Sequence, residues 1–214
     1  MKYQLYYYPG NANLAPHILL EEAGCEVELV LVDRAARAQK SPEYLRLNPN
    51  GRIPTLVCGD LVVFEAAAIC VHVAEQHPEA RLIPPLGSLQ RAHFFQWLMF
   101  LSNTIQPAFM AFRYPEQHTT DSAAHDGVRS RAAEQLGQAF AVIEQALAAG
   151  PFLLGRYSAC DAYLLMLTWW AARRLPESPL RLPRLKACID AVRARPATLH
   201  ACRAEGIELS FQPL

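Results

Sequence analysis

At 214 residues the chain is long for one compact domain and comfortable for two. An apolar fraction of 52% with 19% charged residues excludes a disordered chain, and 20 basic against 20 acidic residues leave no charge excess with which to grip nucleic acid or an anionic membrane surface. A small ligand is the better expectation. The opening MKYQLYYYPG lacks the charged region and long apolar run of an export signal and reads as a strand entering a turn, so a cytoplasmic protein is expected. The longest apolar runs, AAAICVHVA and AYLLMLTWWAA, fall short of the roughly 20 residues that span a bilayer, so no membrane partner is expected. The cysteines Cys25, Cys58, Cys70, Cys160, Cys188 and Cys202 show neither CxxC nor pairing with histidines, which predicts free thiols and no metal site.

In chain order, Lys2 to about Tyr7 suits a strand, Pro9-Gly10 breaks it, and Leu14 to Ala23 has helical spacing closed by Gly24. Glu26 to Val32 alternates as a half-buried strand, and Thr55 to Cys58 and Leu61 to Phe64 are short strands joined by Gly59-Asp60. Helical spacing resumes from Glu65 to His77. The order is βαβ, a less regular segment, then ββα. EARLIPPLGS, with its prolines and glycine, reads as a linker over residues 80–87 between a first domain over 1–79 and a second over 88–214. Helices are predicted there from Ser88 to about Phe112, Ala123 to Ala149, Ser158 to Arg174, Pro183 to Ala194 and Pro196 to Glu205. The fold class is α/β followed by an all-α bundle.

Three segments carry chemistry. In NPNGRIPTL, Ile53-Pro54 directly precedes a strand, where a proline cannot donate a ladder hydrogen bond. A cis bond there would turn the Ile53 N–H and C=O outward to pair with an extended peptide-like ligand; the alternative is an ordinary loop proline. In FEAAAI a strand ends and a helix opens, so the free N–H groups at Glu65 and Ala66 can bind a carboxylate while the Glu65 side chain accepts an ammonium; a favourable charge on the helix dipole is the simpler use of that glutamate. In GRYSACDAYL, Ser158 and Asp161 form a variant capping box, a folding element whose cap contributes about 1 kcal/mol.

In this order and spacing the three segments resemble the cytosolic glutathione transferases along essentially the whole chain, and YYYPGNANLAPHILLEEAG with Gln96-Trp97-Leu98 looks closest to the bacterial beta class. The resemblance implies a thioredoxin-like N-terminal domain, a helical C-terminal domain, glutathione as co-substrate without a metal, and a homodimer. It fails where the beta class does its chemistry. The run PGACSLAPH of that class appears as Pro9 to His17 with Ala12 in place of the cysteine and Asn13 in place of the serine, and the class histidine of the fourth helix falls at Gln106.

With no protein thiol at that point, the remaining chemistry is activation of glutathione's own thiol, whose reference pKa of about 8.5 leaves a few per cent ionised at neutral pH. An N–H donor from Asn13, the first choice, or Asn11, with the positive end of the helix starting near Leu14, would stabilise the thiolate, unless these residues only shape a turn. Tyr7 is the rival, at the strand position where tyrosine-type transferases keep their phenol. His17 and His72 read as packed residues. Arg34, Arg37 and Arg52 are surface residues by default, with Arg34 or Arg37 placed to reach the glycine carboxylate. Ala66 lacks the hydroxyl that many relatives use on the γ-glutamyl carboxylate. The expected substrate is a small apolar electrophile against Gln106, Phe109, Phe112, Tyr114 and Trp169 or Trp170, with small disulfides or peroxides as the second class. A non-catalytic interaction protein on the same fold is the reading from a different class.

Overall fold

A computed structural model describes residues 2–212 and divides the chain into two compact units. Unit 1 holds the first 85 residues together with Arg193–Leu209; unit 2 holds Leu86–Val192 and the tail from Ser210. The first unit's main segment ends at residue 85, and the last helix belongs with that unit.

Unit 1 contains β1 (Tyr3–Tyr7), α1 (Leu14–Glu22), β2 (Val27–Leu31), α2 (Pro42–Leu47), β3 (Thr55–Cys58), β4 (Leu61–Phe64), α3 (Ala66–Gln76) and the outlying α9 (Pro196–Ala204). The four strands form a mixed sheet in the order β2-β1-β3-β4, with β1 parallel to β2 and antiparallel to β3. Tyr3 and Leu5 alternate inward from β1 and are fully buried beneath α1 and α3, whose Leu14, Ile18, Leu19, Ile69 and Val73 complete the core. α9 packs on α1, tied at its start by Arg195 Nη2 donating to Glu22 Oε2 at 2.8 Å. The segment read as less regular contains α2, capped by Ser41, whose Oγ accepts from Tyr44 N at 3.2 Å, with Pro42 at the first helical position.

Unit 2 contains α4 (Leu89–Phe100), α5 (Gln106–Arg113), α6 (His125–Ala146), α7 (Ala159–Ala172) and α8 (Pro183–Arg193). The helix expected from Ser88 to Phe112 is interrupted by a π-helical turn at Leu101–Ile105, just before Pro107. Proline has no N–H to continue the i→i−4 ladder, so the backbone widens there. α7 is buried at every position except Trp170, as suits an apolar central helix. Its start is held by Asp161, which accepts from Ser158 N at 2.8 Å, Ser158 Oγ at 3.0 Å and Leu153 N at 3.0 Å. Burial pushes the Asp161 carboxyl up to about 6 and these donors act against it, so ionisation there depends on them.

Candidate active site

The strand register gathers the chemistry-bearing segments of unit 1 at one end of the sheet. Tyr7 pairs with Leu31, Tyr6 with Thr55, and Thr55 with Phe64. The turn after β1, the loop after β2, the loop before β3 and the start of α3 after β4 therefore all emerge on the same edge. Three inter-strand steps of about 4.8 Å make that edge about 14 Å wide, comparable with an extended tripeptide of about 11 Å.

The Ile53-Pro54 peptide bond is cis. Among the described residues neither the N–H nor the C=O of Ile53 has a hydrogen-bond partner. Side chains beneath hold this loop. The Tyr44 hydroxyl donates to Arg52 O at 2.7 Å and lies 2.9 Å from Thr55 Oγ1, and Asn48 Nδ2 donates to Arg52 O at 2.8 Å. Burial pushes the Tyr44 phenol up, keeping it a donor. Gly51 stands at φ +60°, and a Cβ there would lie 2.7 Å from Lys40 Nζ and 2.8 Å from Gln39 O, so the turn requires glycine on both counts.

Glu65 is the N-cap of α3 at φ 72°, ψ 113°, a conformation that costs a non-glycine residue about 1–3 kcal/mol. Its side chain is exposed and makes no cap bond, which leaves the first-turn N–H groups from Ala66 open. Arg34, Arg37 and Arg52 are all exposed on this edge, Arg34 with its guanidinium carbon 5.5 Å from the Tyr8 ring centre. Lys40 joins them, Nζ donating to Asn50 O at 3.1 Å, a cation the sequence reading passed over.

At the β1–α1 turn the structure reassigns Asn13. Its side chain is fully buried, with Oδ1 accepting from Tyr8 N at 3.1 Å and Nδ2 donating to Glu205 Oε1 at 2.8 Å. The amide expected to face the thiol is turned into the core, and the residue as a whole is fully buried. Glu205, just past α9 and missed by the sequence reading, also accepts from His17 Nδ1 at 2.9 Å and from Gly10 N at 2.9 Å. This buried carboxylate thus fixes the turn through three donors on Gly10, Asn13 and His17. Asn11 is half-buried, its Oδ1 accepts from Ala12 N at 2.8 Å, and its Nδ2 has no partner among the described residues. Tyr7 is half-buried at the end of β1, and its hydroxyl likewise has none.

Four of the thiols are made poor nucleophiles by burial, which pushes Cys202 up to about 12 and raises Cys25, Cys70 and Cys188, while Ala12 offers no sulfur at the helix start. His17 is packed, and His72 is held below its usual value by burial. Among the described residues no group of three or more His, Cys, Asp or Glu is placed to hold a metal ion, and no helix is long and apolar enough to cross a membrane.

On unit 2, Gln106 accepts from the Tyr163 hydroxyl, and Phe109 packs on Trp170 with ring centres 5.5 Å apart. Phe112 and Tyr114 are half-buried. Trp169 is not free to line a pocket: it is buried, its Nε1 donates to Ser210 O at 2.9 Å, and Arg173 lies 5.1 Å over its ring. Trp170 is half-buried beside Phe109.

Residues 1–75 match the family described as "Glutathione S-transferase, N-terminal domain". The chain is 29% identical to Glutathione S-transferase GstA of Escherichia coli O157:H7, over 96% of this chain and 100% of the relative. It is 32% identical to Glutathione S-transferase 3 of Zea mays, over 91% and 90%. A sphingomonad glutathione S-transferase solved in complex with glutathione superposes with a TM-score of 0.82 at 31% identity, covering 96% of this chain and 100% of that one. The cis-proline loop, the bare start of α3 and this likeness over nearly the full length agree: the chain belongs to the glutathione S-transferase family.

Proposed function

We propose that the chain binds glutathione across the sheet edge of unit 1 and presents its thiolate for attack on a small electrophile. The observation that carries this reading is the convergence of unmet main-chain groups at one edge: both groups of Ile53 and the first N–H groups of α3. A glutathione laid along it pairs its cysteinyl backbone with Ile53 at the cis Pro54, and sets its γ-glutamyl carboxylate on the α3 amides at Ala66 and its ammonium on Glu65. Its glycine carboxylate then falls among Arg34, Arg37, Arg52 and Lys40.

The thiol falls by the β1–α1 turn, where Asn11 Nδ2 and the α1 dipole stabilise negative sulfur, with Tyr7 as the competing donor. Lowering the thiol pKa by about two units takes about 2.7 kcal/mol, within the reach of one or two hydrogen bonds to a charged group. The thiolate then adds to the electrophile, whose leaving group departs with the electron pair. The electrophile is assigned to the surface of Gln106, Phe109, Phe112, Tyr114 and Trp170.

The protein acts as a homodimer in this reading, supported by exposed apolar side chains on β4 (Val62, Phe64) and α4 (Phe95, Met99). Sedimentation showing only the monomer would remove the dimer.

Calorimetric titration with reduced and, separately, oxidised glutathione tests the site. Binding of reduced glutathione in the micromolar to low-millimolar range is expected, and no heat with either ligand at several millimolar would overturn the assignment.

A further inference from the structure

Within unit 2, the C-terminal ends of α5 and α7 bring together guanidinium groups that the carboxylates of the described residues leave unpaired. Arg113 closes α5 with its guanidinium carbon 4.8 Å from the Tyr114 ring centre. Arg173 is the C-cap of α7, and Arg174 follows it. The two helices meet through the Phe109–Trp170 ring contact. Among the described residues no carboxylate lies within ion-pair distance of Arg113, Arg173 or Arg174, and Glu177, the next acidic residue along the chain, is held by Arg181 at 3.0 Å.

Two further observations mark the cluster as incomplete. Arg173 Nε is buried with no hydrogen-bond partner, although an unmet buried donor is costly. Arg174 is held below the usual arginine pKa, first by burial and then by Arg113, with Arg173 adding to the repulsion and Tyr114 opposing it. Cations at helix C-termini are commonly accounted for by the macrodipole. Two helix ends supply about half a negative charge each, however, so three guanidinium groups leave about two positive charges uncompensated.

We propose that Arg113, Arg173 and Arg174 form an anion subsite that takes the carboxylate of an aromatic substrate, its ring lying along Phe112, Tyr114 and Trp170. This deepens, and rests on, the reading of the chain as a glutathione-conjugating enzyme, and it replaces a purely apolar electrophile with an aryl compound bearing one negative group. A guanidinium offers paired N–H donors to the two carboxylate oxygens, and the half-buried aromatics supply the flat apolar contact.

The test titrates the full chain calorimetrically with 4-nitrobenzoate and with its uncharged isostere 4-nitrobenzamide at low ionic strength. The benzoate is expected to bind about tenfold more tightly, a margin that shrinks as salt is added. Arg113→Gln and Arg174→Gln, at exposed helix ends, should each cut that margin and together bring it near unity, leaving the benzamide unchanged. Equal affinity for the two probes, no measurable benzoate binding, or a margin that survives the double variant would overturn the subsite. Neither probe carries a leaving group or needs glutathione. A chain that prefers the benzoate yet fails to bind glutathione keeps the subsite and loses the conjugation reading; one that binds glutathione without the preference does the reverse.

Discussion

The β1–α1 turn and the cis-proline loop sit on the same sheet edge and handle their polar groups in opposite ways. At the turn, Asn13, His17 and Glu205 point inward and hydrogen-bond to one another out of contact with water. At the loop, Arg52 and Glu65 point outward, Tyr44 and Asn48 hold the chain from beneath, and the main-chain groups of Ile53 are left unmet. The contrast teaches that in this unit side-chain polarity is spent largely on shape, and that recognition falls to the backbone so shaped. A backbone site tolerates sequence change, so the proposed glutathione site is compatible with Ala12 and Asn13 standing where the beta-class run has cysteine and serine.

That division of labour can be broken most severely at Glu205. Glu205→Ala strands donors on Gly10, Asn13 and His17 and is expected to cost about 3–5 kcal/mol in urea unfolding, with Glu205→Gln costing about 1–3 kcal/mol. If the alanine variant lost under 1 kcal/mol, the clamp would not be holding the turn. Next in size, Gly51→Ala forces an unfavourable φ and a close contact with Lys40 and Gln39, and should cost about 1–3 kcal/mol together with glutathione affinity. Tyr44→Phe removes the hydroxyl from Arg52 O and Thr55 Oγ1, for about 1–2 kcal/mol of stability. It should weaken glutathione binding without changing the thiol pKa, because Tyr44 acts on the cysteinyl backbone site alone. The smallest effect sharpens the comparison from the other side. Ala66→Ser adds a hydroxyl at the bare start of α3 and should tighten glutathione by about fivefold, near 1 kcal/mol, in the same titration.

What the sequence made legible was local. The β3–β4 hairpin around Gly59-Asp60 and the Ser158–Asp161 start of α7 each rest on neighbouring residues, and the structure forms both, while at Ile53-Pro54 the sequence leaves an ordinary loop proline open and the structure has the cis bond. α2 was passed over although Ser41-Pro42 signals a helix start, because six residues give too little periodicity to stand out. The spacing through Pro107 predicts one continuous helix, and the proline is the reason it is interrupted. Glu205 was out of reach for a different reason: it meets Asn13 across 192 residues, and nothing near either residue announces the pairing. The same long-range partner turned Asn13 from a thiol donor into a brace and moved the open amide to Asn11.

In the proposed site the glutathione thiolate is held at the β1–α1 turn by Asn11 and the positive end of α1 rather than by the Tyr7 phenol. The most direct measurement is a pH titration of the thiolate's ultraviolet absorbance for glutathione bound to the wild-type chain, to Asn11→Ala and to Tyr7→Phe. The account predicts a wild-type thiol about two units below its reference of about 8.5, a return of about one unit in Asn11→Ala, or about 1.4 kcal/mol, and no change in Tyr7→Phe. A thiol pKa unmoved by Asn11→Ala but restored to its reference value by Tyr7→Phe would contradict it and make this a tyrosine-type site.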